Sequence, residues 1–196
     1  MSLTDLIKKN RSCRRFDNSR RITTDEFSLI INNATKVASA ANLQNLRYII
    51  SNTKRMNDEI FRCLNWAGYL SDWPGPEPEE RPSGYIIMLV RSSIEKYAHF
   101  DAGIAAQTIT LSATELGLGG CLIASINKPL LGNILDLSED EYSILLCIAL
   151  GKPIEHIKIE PVIDNQIQYW RDEANTHHVP KRDIEEVIIG EHLDQD

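Results

Sequence analysis

No stretch of the 196-residue chain has the run of roughly 18 apolar residues that a membrane-spanning helix requires. The start, MSLTDLIKKN, lacks the apolar core of a signal peptide. These absences predict a cytoplasmic protein with no membrane partner. Cys13, Cys63, Cys121 and Cys147 show no CxxC spacing, and three of them sit in apolar segments, so they read as reduced thiols. The one close pair of histidines, His177 and His178, has no cysteine near it, which argues against a structural metal. Excess positive charge is also missing: 21 basic against 28 acidic residues give a net charge of -7, which disfavours a nucleic-acid or anionic-membrane surface. No strand is followed by a GxGxxG turn, so a dinucleotide-binding Rossmann domain is excluded. There is no internal repeat and no low-complexity tract.

What is present reads as one domain spanning 1–196. Hydrophobic residues make up 42% and charged residues 25%, ordinary values for a folded chain of this length. Residues 25–41 place Phe27, Ile30, Ile31, Ala34, Val37, Ala38 and Ala41 at helical spacing, with Thr24 or Asp25 as the cap. A short strand is expected over Arg47–Asn52 and a second helix over 55–70. Segment 71–84 holds four prolines and reads as a surface loop and candidate lid. Buried strands are expected over Tyr85–Val90, Cys121–Ile126 and Ser143–Leu150, and a short helix over Lys128–Leu135. Residues 98–116 form a long helix that is apolar on most of its circumference and needs cover on nearly every side, which suggests a homodimer. From Pro161 onward the chain reads as an arm with few periodic signals, Ile184–Ile189 being a strand or a docking element. The fold class is α+β, with helices around a small central sheet.

Three stretches could carry chemistry. Arg11-Ser12-Cys13-Arg14-Arg15-Phe16 gathers guanidinium forks and a hydroxyl that suit a phosphate, or it is a solvated basic loop. Ser39-Ala40-Ala41-Asn42-Leu43-Gln44 sets amide side chains among small residues, as a heterocycle edge would need, or it is a helix C-cap and turn. Gly117-Leu118-Gly119-Gly120 lets backbone amides approach a ligand, or it simply ends the long helix. Trp66 and Trp73 flank the proline-rich loop, where they could stack on a substrate or anchor the loop to the core. Asp101 and Gln107 read as polar pins of an interface, and Tyr169-Trp170-Arg171-Asp172 as packing against a partner subunit.

In series, RSCRRF, SAANLQ, DAGIAAQ…GLGGCLIASI, CIALGKPIE and VPKRDIEEV resemble the nitroreductase family of FMN-dependent oxidoreductases over nearly the whole chain. The resemblance implies a sandwich with a mixed central sheet, an intertwined homodimer, FMN as cofactor and NAD(P)H as electron donor. It implies hydride transfer through flavin N5 to a small electron-poor acceptor such as a nitroaromatic, a quinone or another flavin, with no catalytic side chain. By resemblance, Arg11 and Ser12 hold the ribityl phosphate and Arg14 reaches the N1 and C2 carbonyl edge. Ser39, Asn42 and Gln44 come from the other subunit, Gly119 and Gly120 lie beside the ring, and Lys181 or Arg182 completes the phosphate pocket. Departures are Asn10 for the family's first Arg, Ala38 and Ala40 for its Pro and second Ser, and Asn45-Leu46 for its Pro-Trp. The alternatives are a relative of narrower chemistry, such as reductive dehalogenation or flavin fragmentation, and a flavin-binding module without turnover.

Overall fold

β3 (Gly84–Arg91) is buried at every residue from Gly84 to Val90, because both faces of the sheet it belongs to are covered. Side chains alternate across a strand. On one face Ile86 and Met88, with Ile148 and Leu150 of β5 (Tyr142–Pro153), pack against α2 (Thr24–Ala34) and α4 (Ala98–Glu115) through Phe27, Ile30, Ala105, Ala106, Ile109 and Ala113. On the other, Tyr85, Ile87, Leu89, Cys147 and Ala149 pack against Ile60 of α3 (Lys54–Phe61) and Leu131 of α5 (Lys128–Ile134). This computed structural model describes residues 1–92 and 97–194, so the last two residues of the expected arm lie outside the described residues.

The main sheet runs β1 (Phe16–Asp17), β5, β3, β2 (Leu46–Ser51), with β4 (Gly119–Ile123) also paired to β5. These ladders are antiparallel. Parallel pairing enters at the Ser12–Gly120 bridge and in a second sheet, where β8 (His177–Lys181) lies parallel to β6 (Ile157–Pro161) and antiparallel to β7 (Trp170–Arg171). α1 (Leu3–Lys9) and the single turn α6 (Ile184–Val187) complete the described elements.

Several boundaries differ from the sequence reading. α2 is capped by Thr23, whose hydroxyl accepts from the Glu26 N–H while Glu26 accepts from the Thr23 N–H. It ends at Ala34, not 41, although the apolar pattern continues. The reason is Asp101 on α4, whose carboxylate accepts from the Ser39 hydroxyl at 2.7 Å and the Ala40 N–H at 2.9 Å and draws 39–42 into a 3₁₀ turn. Ala41, Asn42 and Gln44 there have φ of 50°, 53° and 47°, a left-handed run that side chains adopt at a cost. α3 stops at Phe61 rather than 70 because the chain leaves to pair with the extension of β4: Leu64 bridges Ile126, and the Asn65 N–H donates to the Ser125 carbonyl. Of the proline-rich loop, Pro78–Glu80 is a 3₁₀ turn in which Glu80 takes a bidentate pair from Arg15 at 2.7 and 2.6 Å. Trp66 is buried and Trp73 lies under Arg171 at 4.6 Å, so both tryptophans tie this loop to the body.

The tail holds the second sheet, which the sequence reading did not foresee. Within 184–189, Ile184–Val187 forms the short α6 rather than a strand. Tyr169, Trp170 and Arg171 pack on their own chain, against Tyr69 and His177, His178, and Glu155 respectively. All four cysteines are free and buried, and burial pushes the Cys13 thiol up to about 12. Among the described residues no helix is long and apolar enough to cross a membrane, and no group of three or more His, Cys, Asp or Glu is placed to hold a metal ion.

Candidate functional site

The chain between α1 and β1 is laid along the end of the main sheet. The Cys13 N–H donates to the Gly120 carbonyl at 2.9 Å, the Arg14 N–H donates to Glu155 Oε2 at 2.7 Å, and the Ile154 N–H donates to the Arg15 carbonyl at 3.1 Å. In this extended stretch side chains alternate, so Cys13 goes into the core while Ser12 and Arg14 face a cavity of about 300 Å³. β4 contributes Gly120 and Leu122 to the wall, α4 contributes Gln107 and Thr110, and the second sheet contributes His177, Val179 and Lys181 from one face of β8. Tyr169, Asn10 and Arg11 complete the lining. Three cations and no carboxylate line this cavity among the described residues, in a chain where acids outnumber bases.

Arg14 is 9% exposed, its guanidinium stacked over Tyr169 at 4.7 Å and its Nη1 3.1 Å from His177 Nε2. Arg11 donates from Nε to the Asn10 carbonyl at 2.5 Å and from Nη2 to the Ile7 carbonyl at 2.8 Å, satisfying the open end of α1. Its partial burial lowers its pKa. Asn10 does not supply the charge of the arginine it replaces. It donates to Thr114 Oγ1 at 2.9 Å and accepts from Gln107 and Thr110 at 3.2 and 3.4 Å, lashing the loop to α4.

Of the residues singled out in the sequence, Arg11, Ser12, Arg14, Gly120 and Lys181 come together here. Gly119 is not on the wall: a Cβ there would lie 3.2 Å from both Cys13 Cβ and Pro153 Cβ, a tight fit against neighbouring side chains. At Gly120 a Cβ would meet Leu150 Cδ2 at 2.9 Å, so its identity too has a packing cause. Arg182 is turned away, donating to Asn165 at 3.2 Å and Glu186 at 2.6 Å. Ser39 and Gln44 line a separate cavity of about 180 Å³ with Arg47, Tyr48 and Asp101, and Asn42 is exposed on the turn beside it. Within one chain the two sets do not meet. Gln107 lines the first cavity, and Asp101 pins the 39–42 turn of its own chain.

Sequence reasoning weighed His177 only as a metal ligand and passed over Val179, Thr110, Leu122 and the buried Glu155. Strand alternation back from Lys181 would have reached Val179 and His177, had a strand been expected there. Glu155 has no such signal. Its carboxylate is fully buried, accepting from the Arg14 backbone and, at 2.6 Å, from Arg171.

The cavity at the end of the central strands presents guanidinium and ammonium groups, which pair best with anionic oxygens. The model described as the nitroreductase family matches residues 7–67 and 82–152, and the chain belongs to that family. YodC of Bacillus subtilis (strain 168), itself provisionally described as an NAD(P)H nitroreductase, is 23% identical over 181 residues, 77% of this chain and 89% of YodC. Among solved structures, an FMN-dependent nitroreductase from Clostridium difficile R20291 matches with a TM-score of 0.66 at 22% identity, over 79% of this chain and 89% of that one. A provisionally assigned nitroreductase from Desulfovibrio desulfuricans, solved in complex with FMN, matches with a TM-score of 0.73 at 19% identity over 99% of both chains.

Proposed function

We propose that the chain is an FMN-dependent oxidoreductase, working as a homodimer, that passes hydride from NAD(P)H to a small electron-poor acceptor such as a nitroaromatic, a quinone or a flavin. The observation that carries this reading is the cavity walled by Arg11, Ser12, Arg14, Gly120 and Lys181, with no acid among the described residues that line it. The donor set suits FMN: two cations and a hydroxyl for a phosphate, a fixed guanidinium for an electron-rich ring edge, and Leu122 and Val179 as apolar surface. The name of YodC and the FMN bound to the Desulfovibrio relative support it. When bound, FMN supplies the hydride chemistry at its N5.

The chain's residues then bind and orient. Arg11, Ser12 and Lys181 would donate to the phosphate. Arg14, already held in place, would set its charge at the N1 and C2 carbonyl edge, where a fixed cation costs no reorganisation as negative charge develops. The outer side of α4 supports the dimer. Phe100 and Ile104 are 71% and 45% exposed there, and Gln107 on the same side reaches the cavity, so a partner covering this stripe would also close the site and could bring Ser39, Asn42 and Gln44 to it.

The purified protein, loaded with FMN, should bleach anaerobically on adding NADH or NADPH and regain colour with an acceptor. Failure to take up FMN, or a bound flavin that no nicotinamide reduces, would overturn the reading. Lys181→Ala should weaken FMN binding roughly tenfold, the worth of one charge-assisted hydrogen bond. Arg182→Ala should leave it unchanged, and a fluorescence-quenching titration compares the two.

A further inference from the structure

Arg14 and His177 are 163 residues apart in the chain, yet their side chains meet inside the cavity wall. His177 has no exposed surface. A guanidinium can only donate, so at 3.1 Å from Arg14 Nη1 the Nε2 atom must be the bare, accepting nitrogen and the ring proton must sit on Nδ1. A protonated imidazole would turn an N–H toward the guanidinium and lose the bond. Tyr169 packs against both partners, at 4.7 Å from the Arg14 guanidinium and 5.2 Å from the His177 ring. The Arg14 backbone is fixed separately by Glu155. Loop, strand and aromatic ring therefore converge on one guanidinium.

We propose that His177 is a positioning residue for Arg14: as a neutral acceptor it fixes where in the cavity wall the guanidinium charge stands, and so tunes the ligand edge that this charge addresses. The inference rests on the reading of the cavity as an FMN site for its consequence, but not for the contact itself. The charged and titratable groups around His177 come from four segments. Arg14 lies on the loop before β1, Glu155 after β5, Arg171 on β7 and His178 next to it on β8, and the His177 N–H donates to the His156 carbonyl. Burial, with Arg14, Arg171 and His178 as further causes, lowers the imidazole pKa to about 4, against an opposing pull from Glu155. The ring is neutral through the physiological range, as the hydrogen bond requires.

The test has two arms. Nitrogen-15 NMR of the flavin-free protein should show His177 neutral at pH 7 with the proton on Nδ1, and Arg14→Gln should raise its pKa, since a repelling charge is removed. An Nε2-protonated or charged ring, or a pKa unmoved in Arg14→Gln, would overturn the contact whether or not the protein binds flavin. The second arm loads FMN to saturation into wild type, His177→Gln and His177→Leu. Glutamine can place its carbonyl oxygen near the Nε2 position, and leucine has no acceptor. His177→Leu should bind FMN about tenfold more weakly and lower the bound flavin's reduction potential, the direction also expected for Arg14→Gln because a fixed charge at the ring edge is lost or displaced, while His177→Gln should recover both. A Leu variant with wild-type affinity and potential would remove the role. Equal loss in Gln and Leu, with both folded by circular dichroism, would remove it as well. If wild type takes up no FMN, the proposed function fails in that arm while the NMR arm still decides the contact.

Discussion

Ile109→Glu should yield no folded protein, whereas Ile104→Glu, five residues earlier on α4, should fold and fail to dimerise. Both are isoleucines on the helix whose apolar circumference suggested a second subunit, and the difference is the face. Ile109 is 0% exposed and packs into the core under the main sheet with Phe27, Ile86 and Ile148. Losing its burial costs about 1.5–3 kcal/mol, and an unpaired carboxylate in that core costs several more. Against a total stability of roughly 5–15 kcal/mol the sum is decisive. Ile104 is 45% exposed on the outer stripe, where a substitution within one chain is worth about 0.5 kcal/mol or less. Circular dichroism and sedimentation separate the outcomes. A dimeric Ile104→Glu would show that the seam lies elsewhere.

Glu155→Ala should lower the unfolding temperature by about 10 °C, the largest effect expected from any polar residue of the site. Its carboxylate joins the Arg14 backbone to Arg171, whose side chain is 11% exposed and stacked over Trp73. Removing one partner of a buried pair leaves the other uncompensated, at about 3–5 kcal/mol. In a domain of this size each kcal/mol shifts the midpoint by about 2–4 °C. Glu155→Gln keeps an acceptor and should fall between. A melting curve for Glu155→Ala within 2 °C of wild type, on the scale of roughly 1 kcal/mol or less, would contradict the role of the pair.

The parts of the fold that could be read from sequence are those whose local pattern and tertiary environment agree. Tyr85–Val90 and Ser143–Leu150 are unbroken apolar runs because helices cover both faces of their sheet, and the inner side of α4 is apolar because it is one of those covers. The overextended α2 shows the converse. Val37, Ala38 and Ala41 keep the helical spacing, but a carboxylate more than sixty residues away decides where the helix stops. The second sheet left almost no trace. IKIEP and HHVPK are five residues each, WR is two, and backbone ladders, the His178 contacts to Glu160 and Asp172 and the Trp170–His178 stack join them without a patterned apolar run. The serial motifs brought out Arg11, Ser12, Arg14 and Lys181, whereas His177 and Glu155 act through contacts that span the chain and have no local spacing to betray them.

The cavity's two sides differ in what holds them. Gly120 and Leu122 ride on the main sheet, bonded to β5. His177, Val179 and Lys181 ride on the small one, where His178 sits between Glu160 at 2.7 Å and Asp172 at 3.1 Å. Hydrogen bonds to Asp172 and Glu160 raise the His178 pKa, so this support is complete below its unfolded value and fades as pH rises through the folded one. Local opening draws on the least stable unit of a structure. A molecule seated between the sheets would thus meet two walls of different make: one rooted in the core, the other joined to it through the Glu155–Arg171 and Arg14–His177 contacts. Mildly acid solution should firm the small-sheet wall through His178 and leave the main-sheet wall as it is.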